Sequence, residues 1–114
     1  PFGARNDVLL KKSDKSFEIF DGDSLSFPLT IRSREAGDRL QPLGQSKRTK
    51  LKSLLINKHI PVEKRDRLPI ILSKNQIAWV AGVTMGDPYK ISSKTNRFVK
   101  LTLKPNAVIP GRFP

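Results

Sequence analysis

The residues with the most potential for chemistry are basic, and they are concentrated between positions 32 and 67. This stretch holds eleven Lys and Arg residues against four Asp and Glu residues, an excess of seven positive charges out of a formal +12 for the 114-residue chain. Guanidinium groups bind phosphate through paired N–H donors, and ammonium groups bind it as point charges. The concentration therefore predicts a surface that binds a polyanion.

Nine of these basic residues are candidates for binding nucleic acid: Arg32, Arg34, Arg39, Lys47, Arg48, Lys50, Lys52, Lys58 and Arg65. The three arginines at 32, 34 and 39 border a Gly37-Asp38-Arg39 turn, in which the glycine indicates a backbone conformation that a Cβ would resist. Glu35 and Asp38 are close enough in sequence to pair with some of these arginines, which leaves a structural role open for one of them.

Lys47, Arg48 and Lys50 precede the leucine stripe of a predicted helix, for which Thr49 or Ser46 is the expected N-cap. Cations at a helix start are unfavourable by about 0.3–1 kcal/mol each, unless an anion binds there to the free backbone N–H groups. We therefore place a phosphate site at this helix start, with Arg34 and Arg39 as its second wall. The alternative is a solvated basic face.

The sequence indicates no residues for catalysis, cofactor binding or metal binding. The chain has no cysteine, a single histidine (His59) and no glycine-rich phosphate loop. We interpret His59 as a structural or surface residue at a helix end, and Asp21 and Asp23 as part of a solvated turn. Trp79 is expected in the core, which leaves Phe98 and Tyr89 as stacking platforms. Because these are few, duplex recognition through the backbone is favoured.

Hydrophobic periodicity predicts three strands, two helices and three strands, hence an α+β fold with mostly antiparallel pairing in a single domain, residues 1–114. The core is expected at about 7–104, and a loose tail at 105–114. A second helix is expected to begin at Pro61 and to end near Arg67. The predicted strands are 8–10, 17–20, 27–31, 70–72, 77–81 and 99–103, with a turn at Lys74-Asn75 before the fifth.

Composition limits the possible binding partners and the cellular compartment. The isoelectric point near 10.5 indicates a polyanion, with nucleic acid ahead of an acidic membrane surface. There is no apolar run of the roughly 20 residues that a membrane span requires, and the start does not resemble a signal peptide. Together with the lack of cysteine, this predicts a cytoplasmic location and no membrane partner.

Three sequence segments, IRSREAGDRLQPLG, SKRTKLKSLLINKHIPVEKRDRLPIIL and QIAWVAG, together resemble the C-terminal domain of bacterial tRNA(Ile)-lysidine synthetase. The resemblance covers roughly residues 26–103 and includes the motifs 37–39, 46–52, 60–61 and 65–67. Ala36, where the family often has proline, and residues 85–89, which are less basic than usual, depart from the pattern. The implied fold is β-sandwich-like with two short central helices, related to a domain of the phenylalanyl-tRNA synthetase β subunit.

The resemblance also implies a function. In this family the C-terminal domain is non-catalytic and helps to hold the tRNA acceptor stem. A separate N-terminal domain, a carbon–nitrogen ligase with a Ser-Gly-Gly-x-Asp-Ser loop, uses ATP and magnesium to attach lysine to the wobble cytidine. This loop does not occur in the 114 residues, so no cofactor is expected in this chain.

Two other functions stay open. The chain could be an interaction module that docks a catalytic domain or a second subunit through its helix faces, or a free-standing RNA-binding protein. An enzyme made of this chain alone is disfavoured, because both a nucleotide loop and a nucleophile are missing. The oligomeric state is not indicated, and a dimer is one of the options.

Overall fold

A computed structural model describes residues 17–103, which form eight short strands, two short α-helices and a 3₁₀ helix. The predicted strand at 8–10 and the tail at 105–114 lie outside the described residues. The strands are β1 (Phe17–Asp21), β2 (Thr30–Arg32), β3 (Arg39–Leu40), β4 (Thr49–Lys50), β5 (Ile70–Ser73), β6 (Gln76–Val80), β7 (Thr84–Met85) and β8 (Phe98–Thr102). The helices are α1 (Leu51–Asn57), α2 (Val62–Arg65) and a 3₁₀ helix (Asp87–Tyr89).

The strands form a central sheet and two ribbons, and every pairing is antiparallel. The central sheet has the order β2-β5-β6-β7, while β1 pairs with β8 and β3 pairs with β4. The predicted α+β fold with mostly antiparallel pairing and two short helices is therefore confirmed.

The central strands of this sheet are buried on both faces, because β5 is apolar from Ile70 to Leu72 and β6 is apolar from Ile77 to Val80. On one face, Ile71 and Trp79 pack with Phe20 and with the inward side chains of the β1–β8 ribbon. The rings of Phe20 and Trp79 meet edge to face with centroids 5.7 Å apart, and the predicted core position of Trp79 is confirmed. On the other face, Ile70 and Leu72 pack with the leucine stripe of α1. The sheet thus separates α1 from the β1–β8 ribbon.

Two local predictions are wrong. The strand expected at 27–31 begins only at Thr30: Pro28 has no N–H to donate to a ladder, and the Phe27 side chain is exposed. Neither expected N-cap begins α1: Thr49 pairs with Leu40 in the β3–β4 ribbon, and Lys50 is the N-cap residue without a side-chain cap bond. The second helix agrees with the prediction, since α2 ends at Arg65 with Asp66 as its C-cap, close to the expected Arg67.

Asp38 joins the turn at 35–39 to the start of α1. Its carboxylate accepts two hydrogen bonds from the Arg32 guanidinium, both 3.0 Å, and one from the Glu35 backbone N–H at 2.8 Å. Its carbonyl oxygen accepts the Leu51 N–H at 2.9 Å. Gly37 supplies the left-handed conformation of this turn, with φ at +88°, as expected. Arg32, a candidate for binding nucleic acid, is therefore half-buried over Asp38.

Replacing Asp38 by alanine should destabilise the domain by about 1–3 kcal/mol, because it leaves the half-buried Arg32 guanidinium without its partner. Urea unfolding followed by tryptophan fluorescence measures the change. Glu35→Gln is the matched control, since Glu35 is exposed and lies 3.7 Å from Arg32. Its cost should stay below about 0.5 kcal/mol. Equal costs for the two variants would contradict the role assigned to Asp38.

Candidate nucleic-acid interface

The segment from residue 39 to residue 58, called the basic segment below, contains six Lys and Arg residues and no Asp or Glu. It comprises β3, the loop at 41–48, β4, α1 and the residue after α1. All six cations are exposed and, within residues 17–103, none of them forms an ion pair. They are Arg39, Lys47, Arg48, Lys50, Lys52 and Lys58.

The β3–β4 ribbon places two of these cations side by side. Arg39 and Lys50 are directly paired residues, while the next pair, Leu40 and Thr49, has its leucine in the core. Since successive pairs in a ribbon alternate between its faces, the two cations lie together on the solvent side. Like charges in such a pair repel, and an anion bound between them would relieve the repulsion.

The helix start differs from the expectation. Lys47 and Arg48 lie in the loop before β4 and not at the first turn of α1, so their predicted position is wrong. Lys50 is the N-cap residue, and the first turn of α1 has no acidic residue. The Leu51 N–H is already donated to Asp38, and α1 has only seven residues. The candidate surface therefore consists of the exposed cations of the basic segment and does not include free N–H groups of the helix.

The other three candidate residues are engaged within the fold. Arg32 binds Asp38, as described above. The Arg34 Nε donates to the Asp66 carboxylate at 2.8 Å, and the Arg65 Nε donates to the Ile60 carbonyl oxygen at 2.9 Å. These guanidinium groups position the turn at 33–39 and α2. The sequence indicated that an arginine here could be structural, but not which one.

Asp87 holds the loop of the basic segment against the 3₁₀ helix. Its carboxylate accepts the Gly44 N–H at 2.9 Å and the Lys90 ammonium at 2.9 and 3.0 Å. Its own N–H donates to the Gln41 carbonyl oxygen at 2.7 Å. The hydrogen bond from Gly44, followed by that from Lys90, lowers the pKa of Asp87. Sequence reasoning did not find this contact, because its partners are more than 40 positions apart.

A cavity of about 70 Å³ lies where β3, β6 and the 3₁₀ helix meet. Its buried walls include Leu40, Ile77 and Tyr89, and its exposed walls include Arg48 and Gln76. Burial raises the pKa of Tyr89, which keeps the hydroxyl neutral. Tyr89 is thus a wall of the cavity, and its expected role as an open stacking platform is not supported by its position.

The other residues considered in the sequence analysis lie away from the basic segment or do not form a binding site. Phe98 is exposed on β8, in the ribbon on the opposite side of the central sheet from α1. His59 is exposed just after α1, as expected. Among residues 17–103, no cluster of acidic residues and histidine has the arrangement of a metal site. In the same range no helix is long and apolar enough to cross a membrane.

Comparison with known proteins gives consistent matches. Residues 29–101 match the family model described as TilS substrate C-terminal domain. The tRNA(Ile)-lysidine synthase of Clostridium perfringens is 40% identical over 91 residues, which are 80% of this chain and 19% of the relative. That of Clostridium acetobutylicum is 31% identical over 93 residues, 82% and 20% of the two chains. The chain therefore spans about a fifth of the length of these relatives.

Solved structures agree with the fold. A crystal structure of a TilS C-terminal domain superposes with a TM-score of 0.61 and 28% identity, over 83% of this chain and 76% of that chain. An N-terminal fragment of the phenylalanyl-tRNA synthetase β subunit from Pyrococcus horikoshii also has a TM-score of 0.61, at 16% identity over 74% and 26% of the chains. This second likeness is one of fold alone. It confirms the prediction that the fold of this chain is related to that of a domain of the phenylalanyl-tRNA synthetase β subunit.

Acidification should release the loop that Asp87 holds. Because the pKa of Asp87 is lowered in the folded state, its contribution to stability is present above its unfolded pKa of about 3.9 and is lost as the pH falls through the folded pKa. Asp87→Asn should therefore lower the urea midpoint at pH 7, and the difference from the unaltered chain should shrink as the pH falls below that unfolded value. Glu63→Gln, an exposed carboxylate on α2, is the control and should show no such convergence. If the difference in urea midpoint between Asp87→Asn and the unaltered chain stayed constant with pH, the role assigned to Asp87 would be contradicted.

Proposed function

The chain belongs to the TilS C-terminal domain family, and from this premise we propose that it is the tRNA-binding, non-catalytic part of a tRNA(Ile)-lysidine synthase. The observation that carries the proposal is the basic segment: six exposed cations in 20 residues, with no carboxylate among them. Such a surface binds phosphates, and it binds them regardless of base sequence.

Backbone recognition fits the rest of this surface. The deep, narrow major groove of an RNA duplex hides its base edges, so proteins bind duplex RNA mainly through phosphates, 2′-hydroxyls and shape. The basic segment offers charged side chains on a rigid ribbon and helix, with no exposed aromatic residue among them. We propose a base-paired stem, the acceptor stem of the tRNA, as the part that is held.

The length of the relatives supports the division of labour that we propose. Since the chain corresponds to about a fifth of those proteins, we assign the ATP- and magnesium-dependent attachment of lysine to the remaining part of the enzyme. The domain described here would raise the affinity for tRNA and orient it. A cytoplasmic location follows from that substrate.

A second candidate function is docking to the catalytic part of the enzyme or to another subunit. It is favoured by two exposed aliphatic side chains near each other in sequence, Ile56 on α1 and Val62 at the start of α2. Association through such a face would be insensitive to salt, whereas phosphate binding weakens steeply with salt. The salt dependence of the binding therefore separates the two candidates.

Binding of the domain to tRNA should fall with salt and depend on the basic segment. If about four to six phosphates are neutralised, the log affinity should fall against log salt with a slope of about −3 to −5. Replacing Lys47 and Lys50 together by glutamine should weaken binding about 5- to 30-fold and reduce the steepness of that slope by about 1.5. Fluorescence anisotropy with labelled tRNA at several salt concentrations measures both quantities.

The matched control replaces Lys94 and Lys100 by glutamine, which changes the net charge equally. Lys94 lies in the loop before β8, and Lys100 lies on the exposed face of β8 over the Phe17 ring. This variant should lose less than about threefold. Equal losses for the two variants would mean that overall charge drives the binding, and a slope near zero would exclude nucleic acid as the partner.

The isolated 114-residue chain should not consume ATP when tRNA and lysine are supplied, because we assign that chemistry to another part of the enzyme. A coupled assay for pyrophosphate and phosphate release measures it. Tryptophan fluorescence of the same sample shows that the domain is folded. ATP consumption that depends on both tRNA and lysine would contradict the assignment.

A further inference from the structure

We propose that the cavity between β3, β6 and the 3₁₀ helix receives the edge of one unpaired nucleobase of the bound RNA. This inference rests on the proposed function and adds to it. The phosphates held by the basic segment carry no sequence or strand-end information, whereas a recess beside them that admits the edge of a base can distinguish a paired end from an unpaired one.

The size of the cavity limits what can enter. Pockets that enclose a whole small molecule measure about 300–1,000 Å³, and a water molecule takes about 30 Å³ of liquid. The cavity, at about 70 Å³, is too small for a complete ligand and large enough for the edge of a planar ring. The occupant is therefore a group that protrudes from a larger molecule.

The walls match a nucleobase. The buried part is apolar and partly aromatic, formed by Leu40, Ile77 and the Tyr89 ring. The exposed part carries a guanidinium group on Arg48 and a carboxamide group on Gln76. A carboxamide both donates and accepts, as does the polar edge of a base, and a guanidinium can stack on the face of a base.

The polar groups of the exposed wall are available. Within residues 17–103, the Gln76 carboxamide and the Arg48 guanidinium have no hydrogen-bond or ion-pair partner. The neighbouring Gln41 differs, because its amide nitrogen donates to the Gln45 carbonyl oxygen at 2.7 Å. Gln76 is thus the wall residue whose side chain can bind a ligand without breaking an internal bond.

The cavity is held open by the fold. A Cβ at Gly86 would lie 2.8 Å from the Ile77 carbonyl oxygen and 3.1 Å from the Tyr89 ring, so only glycine lets the ring approach β6 this closely. Asp87, the next residue, fixes the loop at 41–44 on the other side. Because the recess is preformed, little conformational entropy is lost when the base enters.

The charge around the cavity favours RNA over a peptide side chain. No carboxylate lines it, and Arg48 in its wall is next in sequence to Lys47, which is exposed and unpaired in the described part of the chain. A nucleotide whose base enters the cavity can place its phosphate against Lys47. An apolar peptide side chain would gain nothing from these two cations.

The test compares two short RNA duplexes at one salt concentration, one with blunt ends and the other with a single unpaired fluorescent purine at a 3′ end. The unaltered chain should bind the second about tenfold more tightly, and the purine fluorescence should change on binding. Gln76→Ala, and the similarly sized, uncharged Gln76→Met in case the first variant is destabilised, should reduce this preference to less than about threefold and leave blunt-duplex binding unchanged.

Lys52→Gln is the matched control, because Lys52 is exposed on α1 and does not line the cavity. It should weaken the binding of both duplexes equally and keep the preference. Equal affinity of the unaltered chain for the two duplexes would overturn the inference and leave the proposed function standing. A preference that survives both Gln76 variants would also overturn it, since the base would then bind elsewhere. Failure to bind either duplex would instead contradict the proposed function.

Discussion

Two aspartates that lie outside the basic segment hold it in place. The Asp38 carbonyl oxygen accepts the Leu51 N–H at the start of α1, while the Asp38 carboxylate is fixed by the Arg32 guanidinium. The Asp87 carboxylate accepts the Gly44 N–H of the loop. Because the bonds that the two aspartates make to the segment go to its backbone N–H groups, they use none of its six cations. The fold can therefore position a dense positive surface while its charged side chains stay unpaired, which is what a phosphate-binding surface requires.

The rigidity of this arrangement comes from the central sheet. β6 is buried on both faces, and a β-bulge lets it serve two cores: Ile71 faces Trp79 and Leu72 faces Ile77, so Ala78 is an extra residue between them. Ala78 and Trp79 pack on the side of the β1–β8 ribbon, while Ile77 and Val80 pack under α1. The helix that carries Lys52 is thus fixed on a sheet that a second layer covers from behind.

The sequence predicts the parts of this fold that have a hydrophobic period. β5, β6 and β8 and the leucine face of α1 follow directly from it, as does the turn at Lys74-Asn75, where both residues adopt positive φ. β3, β4 and β7 have two residues each, too few for any period, and they exist because of pairing partners elsewhere in the chain. The same holds for the candidate site. Its charge could be predicted from composition, whereas the separation of paired from unpaired arginines depends on contacts such as Arg34 with Asp66, 32 positions apart.

Two charge arrangements in the basic segment destabilise the free domain. The Arg39–Lys50 pair places like charges opposite each other, and the first turn of α1 carries a lysine where an acidic residue would be favourable. Each arrangement costs the free domain about 0.2–1 kcal/mol, and neither has a compensating partner within the described residues. Apolar packing behind the segment is sufficient to tolerate this cost, since Leu40, Leu51 and Leu55 are almost fully buried. A phosphate backbone would reverse the sign of both terms at once, because each cation would then face an anion instead of another cation. The unfavourable charges therefore support the proposal that the basic segment binds RNA, whose phosphates would supply the missing partners.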